Sequence, residues 1–445
     1  MEIPKISNTS LVRQHIVWRG LYFLTVLLIN IGIARFFEAE KSGRLFFIVN
    51  NLALILLVVS ISLESGSTFY ISSGKLEAGL MANFSLVWAT GASLVALGGW
   101  WLVLYFSRPD YLSDLPFLLA SFFFILGVLF TSYFTALFYA KKEFGLPNKV
   151  LFGVNTGLVV LLIAGKNNSL FRINFIEIYF FSFFLQGMIL RILFFRKYAS
   201  KESRLFPPTG ILKKVLRYSM VALIANLIYF LVNRIDYWFV QHYCSAGDLR
   251  NYIQASKMAQ LLFILPAILG STLFPIFSSP EKSGNENQLT SVIRILLWIN
   301  GTICLLIALL GWYFIPLVFG SSFNHMYILF LFLIPGILST TMNYPMTAWF
   351  SASKRIETNI RGSILALIVI CIGDLLTLPV YGIRAASVTS SAGYFCYYCY
   401  TVYIFRKEHD IRLTEFLFLK KSDLNRILKP LRKDFTEPIP ENPII

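Results

Sequence analysis

Charge is scarce in this sequence. Only 14% of its 445 residues are Asp, Glu, Lys or Arg, against roughly a quarter in an average soluble domain. With a mean hydropathy of +0.67, the chain cannot cover a soluble surface, and soluble domains, disorder and fibres are excluded. Cysteine is scarce too, at positions 244, 304, 371, 396 and 399, which excludes a disulfide scaffold. Cys396 and Cys399 have redox-motif spacing but sit inside an apolar run and read as packing. The four His (15, 242, 325, 409) are scattered near the ends of apolar runs, and HExxH is absent, which argues against a zinc hydrolase. A P-loop is also missing, so this chain carries no ATP motor. No stretch outside the apolar runs is long enough for a catalytic domain, and the chain reads as a non-enzyme.

What is present is apolar length. A helix crossing ~30 Å of hydrocarbon needs about 20 apolar residues. Twelve runs qualify, at 16–36, 45–65, 84–106, 115–138, 147–165, 173–195, 215–240, 252–277, 292–319, 327–350, 359–380 and 385–405. This predicts an all-α polytopic membrane protein. The first run is basic at its start, but Arg19 lies inside it and it is too long for a cleaved signal. Twelve spans put both termini on one side. Counting charges at span ends with the side they adjoin, nearly all of the net +16 falls on the side of the termini. The positive-inside rule makes that side cytoplasmic, in a plasma (inner) membrane protein. The basic charge is then topology plus contact with anionic membrane lipids, and nucleic acid is not needed to explain it. Beyond the last span, Leu413, Leu417, Leu424, Ile427, Leu428 and Leu431 fall near one helical face among Lys420, Lys421, Arg426 and Lys429. They read as a basic interfacial helix or a solvated tail.

The basic connection containing Pro207-Pro208 divides the runs six and six. Gly66-Ser-Thr-Phe69 recurs as Gly270-Ser-Thr-Leu273, and Phe194-Phe-Arg-Lys197 as Ile404-Phe-Arg-Lys407, at nearly one offset. These matches favour a duplicated unit in parallel orientation. The domains expected are an N-terminal six-helix bundle at 1–200, a cytoplasmic linker at 201–214, a C-terminal six-helix bundle at 215–406 and a basic cytoplasmic tail at 407–445.

Ionisable residues within spans are site candidates, because each costs several kcal/mol unless it faces a partner or a cavity. Asn226, Tyr229, Asn233, Asp236 and Tyr237 fall within about 100° of one face of the seventh span, as for a cavity lining. Arg234 points away from Asp236, so each needs a partner elsewhere. Arg19 in the first span and Lys257 in the eighth either line the cavity or snorkel. Asp374, mid-span in the eleventh, is either protonated or paired with a cation such as Arg234 or Lys257. Glu64, at a span end, reads as interfacial. In the twelfth span Ser387, Ser391, Tyr394, Tyr398 and Thr401 share a face, as for sugar binding or for hydroxyl-mediated helix packing.

Four segments carry a family resemblance: Ile33-Ala-Arg-Phe-Phe-Glu-Ala-Glu-Lys-Ser-Gly43, Asn233-Arg-Ile-Asp236, Tyr252-Ile-Gln-Ala-Ser-Lys-Met-Ala259 and Leu378-Pro-Val-Tyr-Gly-Ile-Arg-Ala-Ala386. In this order within twelve spans, the chain resembles the polysaccharide repeat-unit flippases. These are the O-antigen (Wzx-type) branch of the multidrug/oligosaccharidyl-lipid/polysaccharide exporter superfamily. The resemblance implies two six-helix bundles around a central cavity and a lipopolysaccharide-type pathway. The implied substrate is a polyprenyl-pyrophosphate-linked oligosaccharide moved from the inner to the outer leaflet by alternating access. Arg35, Arg234, Asp236 and Lys257 match charged positions of the family's patterns. No cofactor is implied, and Asp374, where the family often has a neutral polar residue, leaves coupling to H+ or Na+ open. A polysaccharide polymerase and glycosyltransferases are the implied protein partners. The alternative is a cation- or drug/proton antiporter of the same superfamily. Lipid II flippases are close relatives that typically carry two further spans, not found here.

Overall fold

The computed structural model describes residues 8–37, 39–107, 115–168, 170–171, 174–198, 205–277, 285–353, 355–409, 411–420 and 423. The α-helices are α1 (Asn8–Phe36), α2 (Ala39–Ser60), α3 (Leu63–Ser72), α4 (Ala78–Ser107), α5 (Leu115–Ala140), α6 (Gly145–Gly165) and α7 (Phe175–Tyr198), followed by α8 (Thr209–Tyr243), α9 (Ala246–Leu262), α10 (Ile264–Phe277), α11 (Asn285–Phe319), α12 (Met326–Ala352), α13 (Ile356–Tyr381) and α14 (Ile383–Glu408). No strand occurs among the described residues. That is what hydrocarbon demands, since a helix satisfies its own backbone.

Every apolar run is helical, and by length and composition alone ten helices qualify to cross a membrane, or eleven if one bent pair counts as a span. Two of the twelve runs differ from a plain apolar helix. The second run is two helices, α2 and α3, bent by 46°. The twelfth, α14, has 26 residues but carries too many hydroxyls and tyrosines to qualify by composition. The expected tail helix falls mostly outside the described residues. Within them, Leu413–Phe416 is a single 3-10 turn.

The chain divides into two compact units, Met1–Phe230 with Val318–Ser322, and Leu231–Leu317 with Phe323–Ile445. In the first, α1 packs on α6 and α5 on α7, with α3 and α4 also against α5. The α5–α7 contact is close because a side chain is missing from both helices: a Cβ on Gly127 would lie 2.4 Å from the Phe184 backbone, and one on Gly187 would lie 2.4 Å from the Gly127 carbonyl. Around this seam Phe124 stacks on Phe180 with centroids 4.5 Å apart, and the rings of Phe134 and Phe138 meet Phe194.

In the second unit α12 and α13 flank α14. Gly382 makes the α13–α14 turn in one residue, at φ +61, a conformation side chains disfavour. One core gathers Phe277, Leu289, Ile293, Met346, Trp349, Phe350 and Phe405.

Candidate functional site

Asp236 is 1% exposed in an apolar helix, so it needs donors. Two hydroxyls supply them. Tyr252 on α9 donates to Oδ2, and Ser390 on α14 donates to the same oxygen at 2.9 Å. The Tyr252 hydroxyl also lies 3.1 Å from Ser390 Oγ. Local sequence brings Tyr252 there. Helix α9 starts directly after α8 on a capping box in which Ser245 Oγ accepts from the Asp248 N–H at 3.1 Å. The resulting hairpin folds Tyr252 back beside Asp236.

Asp374, on α13, is fully buried. Its Oδ1 accepts from the hydroxyl of Thr389, the residue before Ser390 on α14. This approach depends on Gly373, where a Cβ would lie 2.7 Å from the Thr389 methyl. One turn of α14 thus carries a hydroxyl to each carboxylate, and Asp236 and Asp374 lie within electrostatic reach of each other. Asp236 Oδ1 and Asp374 Oδ2 are buried with no hydrogen-bond partner among the described residues. Carboxylate oxygens beside hydroxyls are hard donors, the type that a small hard cation or a proton takes. Of the two sequence readings of Asp374, protonated or paired with a cation such as Arg234 or Lys257, the cation pair is not seen among the described residues, and the carboxylate's hydrogen-bond donor is Thr389. No group of three His, Cys, Asp or Glu is placed to hold a metal among the described residues.

The remaining candidates scatter. Arg234 and Lys257, both half-buried on α8 and α9, lie within electrostatic reach of each other. Asn233 is 9% exposed and its Oδ1 accepts from the Tyr394 hydroxyl at 3.4 Å. Asn226 leaves this group: its Nδ2 donates to Ser62 Oγ in the first unit at 3.0 Å. Tyr229 is 51% exposed. In the first unit Arg19 donates to Asn148 Oδ1 at 3.4 Å and lies over the rings of Tyr22 and Phe23 at 5.0 and 5.1 Å. The Tyr139 hydroxyl donates to the same Asn148 oxygen at 2.9 Å. Arg35 is exposed at the end of α1.

The hydroxyl stripe of the twelfth run turns out to be mainly a packing surface. Ser391 donates to the Phe332 carbonyl at 2.6 Å and Thr401 to Asn343 Oδ1 at 2.8 Å. Tyr398 packs in the apolar core with Met342, Trp349 and Phe405, which corrects its reading as a cavity residue. Sequence reasoning missed Tyr252, Thr389 and Ser390 as site residues. The only signal was that Tyr252 opens one of the four resemblance segments, while Thr389 and Ser390 lie just off the stripe on α14.

A family of polysaccharide biosynthesis proteins matches residues 180–328, about a third of the chain, including Arg234, Asp236, Tyr252 and Lys257. No curated protein matches the chain in sequence. Three solved structures are similar. The lipid II flippase MurJ, in an inward closed conformation, is 14% identical at a TM-score of 0.70, covering 95% of this chain and 94% of that one. The Vibrio cholerae MATE transporter VcmN, in a bent form, is 12% identical at 0.64, covering 93% and 99%. A MOP-superfamily transporter from Pyrococcus furiosus, described as having reverse polarity of its binding pocket, is 12% identical at 0.63, covering 89% and 94%. The chain is therefore a multi-pass membrane protein with the fold of the MOP-superfamily flippases and multidrug carriers, and its middle third matches a polysaccharide biosynthesis family.

Proposed function

We propose that this protein is a flippase. It moves a polyprenyl-pyrophosphate-linked oligosaccharide from the inner to the outer leaflet of the plasma membrane by alternating access, with both termini cytoplasmic. The observation that carries this reading is the two cations Arg234 and Lys257, within electrostatic reach of each other on the consecutive helices α8 and α9 and inside the stretch matched by the polysaccharide biosynthesis family. Two cations held together in a low dielectric repel each other and favour a polyanion between them. A diphosphate bears that charge. The fold shared with a lipid II flippase supports a lipid-linked substrate, and the charge bias of the connections supports the orientation. A polysaccharide polymerase and glycosyltransferases are the partners this role requires.

Replacing Arg234→Ala together with Lys257→Ala is expected to abolish surface polysaccharide while folded protein persists at its normal level. Unchanged polysaccharide with a normal protein level would overturn the reading.

The carboxylate pair Asp236 and Asp374 gives the flippase a coupling site for H+ or Na+. The same pair favours a second reading, a cation- or drug/proton antiporter, because such carriers need buried carboxylates. Reconstituted vesicles separate the two: exchange of organic cations for protons, without lipid-linked sugar, would establish the antiporter.

A further inference from the structure

The chain beyond α14 turns back onto its own unit. Phe416 is 1% exposed, with its ring 6.1 Å from Phe405 in the core. Arg294 on α11 holds the segment at two points. Its Nη1 donates to the Glu415 carbonyl at 2.5 Å. Its Nε and Nη2 donate to the two Asp423 oxygens at 2.7 and 2.8 Å, the planar fork that guanidinium and carboxylate form best. Ser291 also donates to Asp423, as does the Lys420 N–H at 2.9 Å. Farther along α11, Trp298 Nε1 donates to the Leu417 carbonyl at 2.9 Å. Residues 411–420 are therefore fixed as a strap across the start of α11.

With Phe416 turned inward and Ile411 packed against the core, the strap turns four other large side chains outward. Leu413, Leu417, Phe418 and Leu419 are 39–64% exposed, and Trp298 beside them is 49% exposed. Arg406, Lys407 and Arg412 are exposed around this apolar row. Nearby acids do not cancel these cations: Glu408 pairs with Arg355, and Glu415 with Lys420 at 3.1 Å. Large apolar groups rigidly held outward are unfavourable in water, and cations are unfavourable among acyl chains. The headgroup boundary accommodates both, and surplus positive charge there selects anionic lipid.

We propose that residues 411–420 form an interfacial strap that docks on anionic lipid headgroups. Leu413, Leu417, Phe418 and Leu419 enter the acyl boundary, and Arg406, Lys407 and Arg412 read the surface charge.

The test is amide hydrogen exchange on the full chain in nanodiscs of phosphatidylcholine alone, or with roughly one third phosphatidylglycerol. The strap amides are expected to exchange on the order of tenfold more slowly in the anionic discs. The double variant Lys407→Glu with Arg412→Glu is expected to lose this difference while α11 and α14 stay protected. Equal exchange of the wild-type strap in both discs would overturn the proposal. So would a double variant that keeps the lipid difference, or protection that follows the number of protein copies per disc, which would mean a second copy covers the face. If the double variant unfolds, the wild-type comparison and the single variant Phe418→Asp, expected to exchange faster in both discs, still decide.

Discussion

At the scale of single residues, the two buried aspartates are distinguished by what they leave unsatisfied. Asp236 takes two hydroxyl donors on one oxygen and Asp374 one, and the other oxygen of each is buried with no hydrogen-bond partner among the described residues. An amide at either position keeps the shape and removes the charge. Asp374→Asn and Asp236→Asn are each expected to abolish any dependence of transport on a proton or sodium gradient in vesicles, with folded protein retained; gradient dependence surviving both would remove the pair as a coupling site. Tyr398 makes the contrast. It packs in the core, so Tyr398→Ala is expected to cost about 3–5 kcal/mol in a detergent unfolding series, whereas Tyr394→Phe leaves stability nearly unchanged. From the sequence, Asp236 and Asp374 were visible as candidates because charge inside an apolar run is rare. Their partners were not visible: Ser390 and Thr389 are ordinary hydroxyls, and helical azimuth says which way a side chain points but not which helix it meets. Asp423 outside the spans is a simpler case. The Arg294 fork, with help from Ser291, holds its carboxyl well below the usual carboxylate range. A depressed value contributes stability above the unfolded-state value of about 3.9 and loses it only as pH falls toward the folded one. Strap protection, corrected for intrinsic exchange, is therefore expected to stay constant between about pH 5 and 8; release within that window would mean the ion pair is not what holds the strap.

At the scale of elements, the break between α2 and α3 is the least legible feature. Ile61 and Ser62 adopt φ +49 and +52, the left-handed region where a β-branched side chain is an outlier. No Gly or Pro marks the place, so the run reads as one span. The break survives because its neighbours complete it: Trp88 donates to the Val59 carbonyl at 3.1 Å, and Tyr133 donates to the Ser60 carbonyl at 3.1 Å. Asn226 fixes Ser62 Oγ from α8. These donors replace the helical N–H groups that the bend withdraws. A residue that prefers this conformation relieves the strain, so Ile61→Gly is expected to stabilise the protein by about 1 kcal/mol. A thermal melt in detergent measures it, and a destabilised variant would show that Ile61 packing outweighs its backbone strain. The helices themselves were legible, because nothing but apolar length is needed to specify them. Breaks set by partners from other helices were not.

At the scale of the whole chain, each half considered by itself gathers polar groups from three of its runs. In the first half, the first, fifth and sixth runs meet at a buried polar node. Asn155 on α6 donates to Thr25 Oγ1 on α1 at 3.3 Å, and Gln186 on α7 donates to Asn155 Oδ1 at 2.7 Å. In the second half the corresponding runs, α8, α13 and α14, supply Asp236, Asp374 and the Thr389–Ser390 pair. The runs correspond; the positions along them and the charge do not. The first node is neutral with its amide donors used internally. The second carries two carboxylates, each with one oxygen that no described residue partners, and the proposed coupling site is therefore assigned to the second half alone. Asn155→Asp tests this. In the first node the new carboxylate keeps the Gln186 donor, and the Thr25 hydroxyl can turn to supply another, so the protein is expected to fold. The node then holds one carboxylate where the second half has two. Added to Asp374→Asn, Asn155→Asp is therefore expected not to restore gradient-dependent transport, measured as lipid-linked sugar moved in vesicles with and without a sodium or proton gradient. Restored gradient dependence in the double variant would show that either half can host the coupling ion, and that the asymmetry between the two nodes is one of sequence alone.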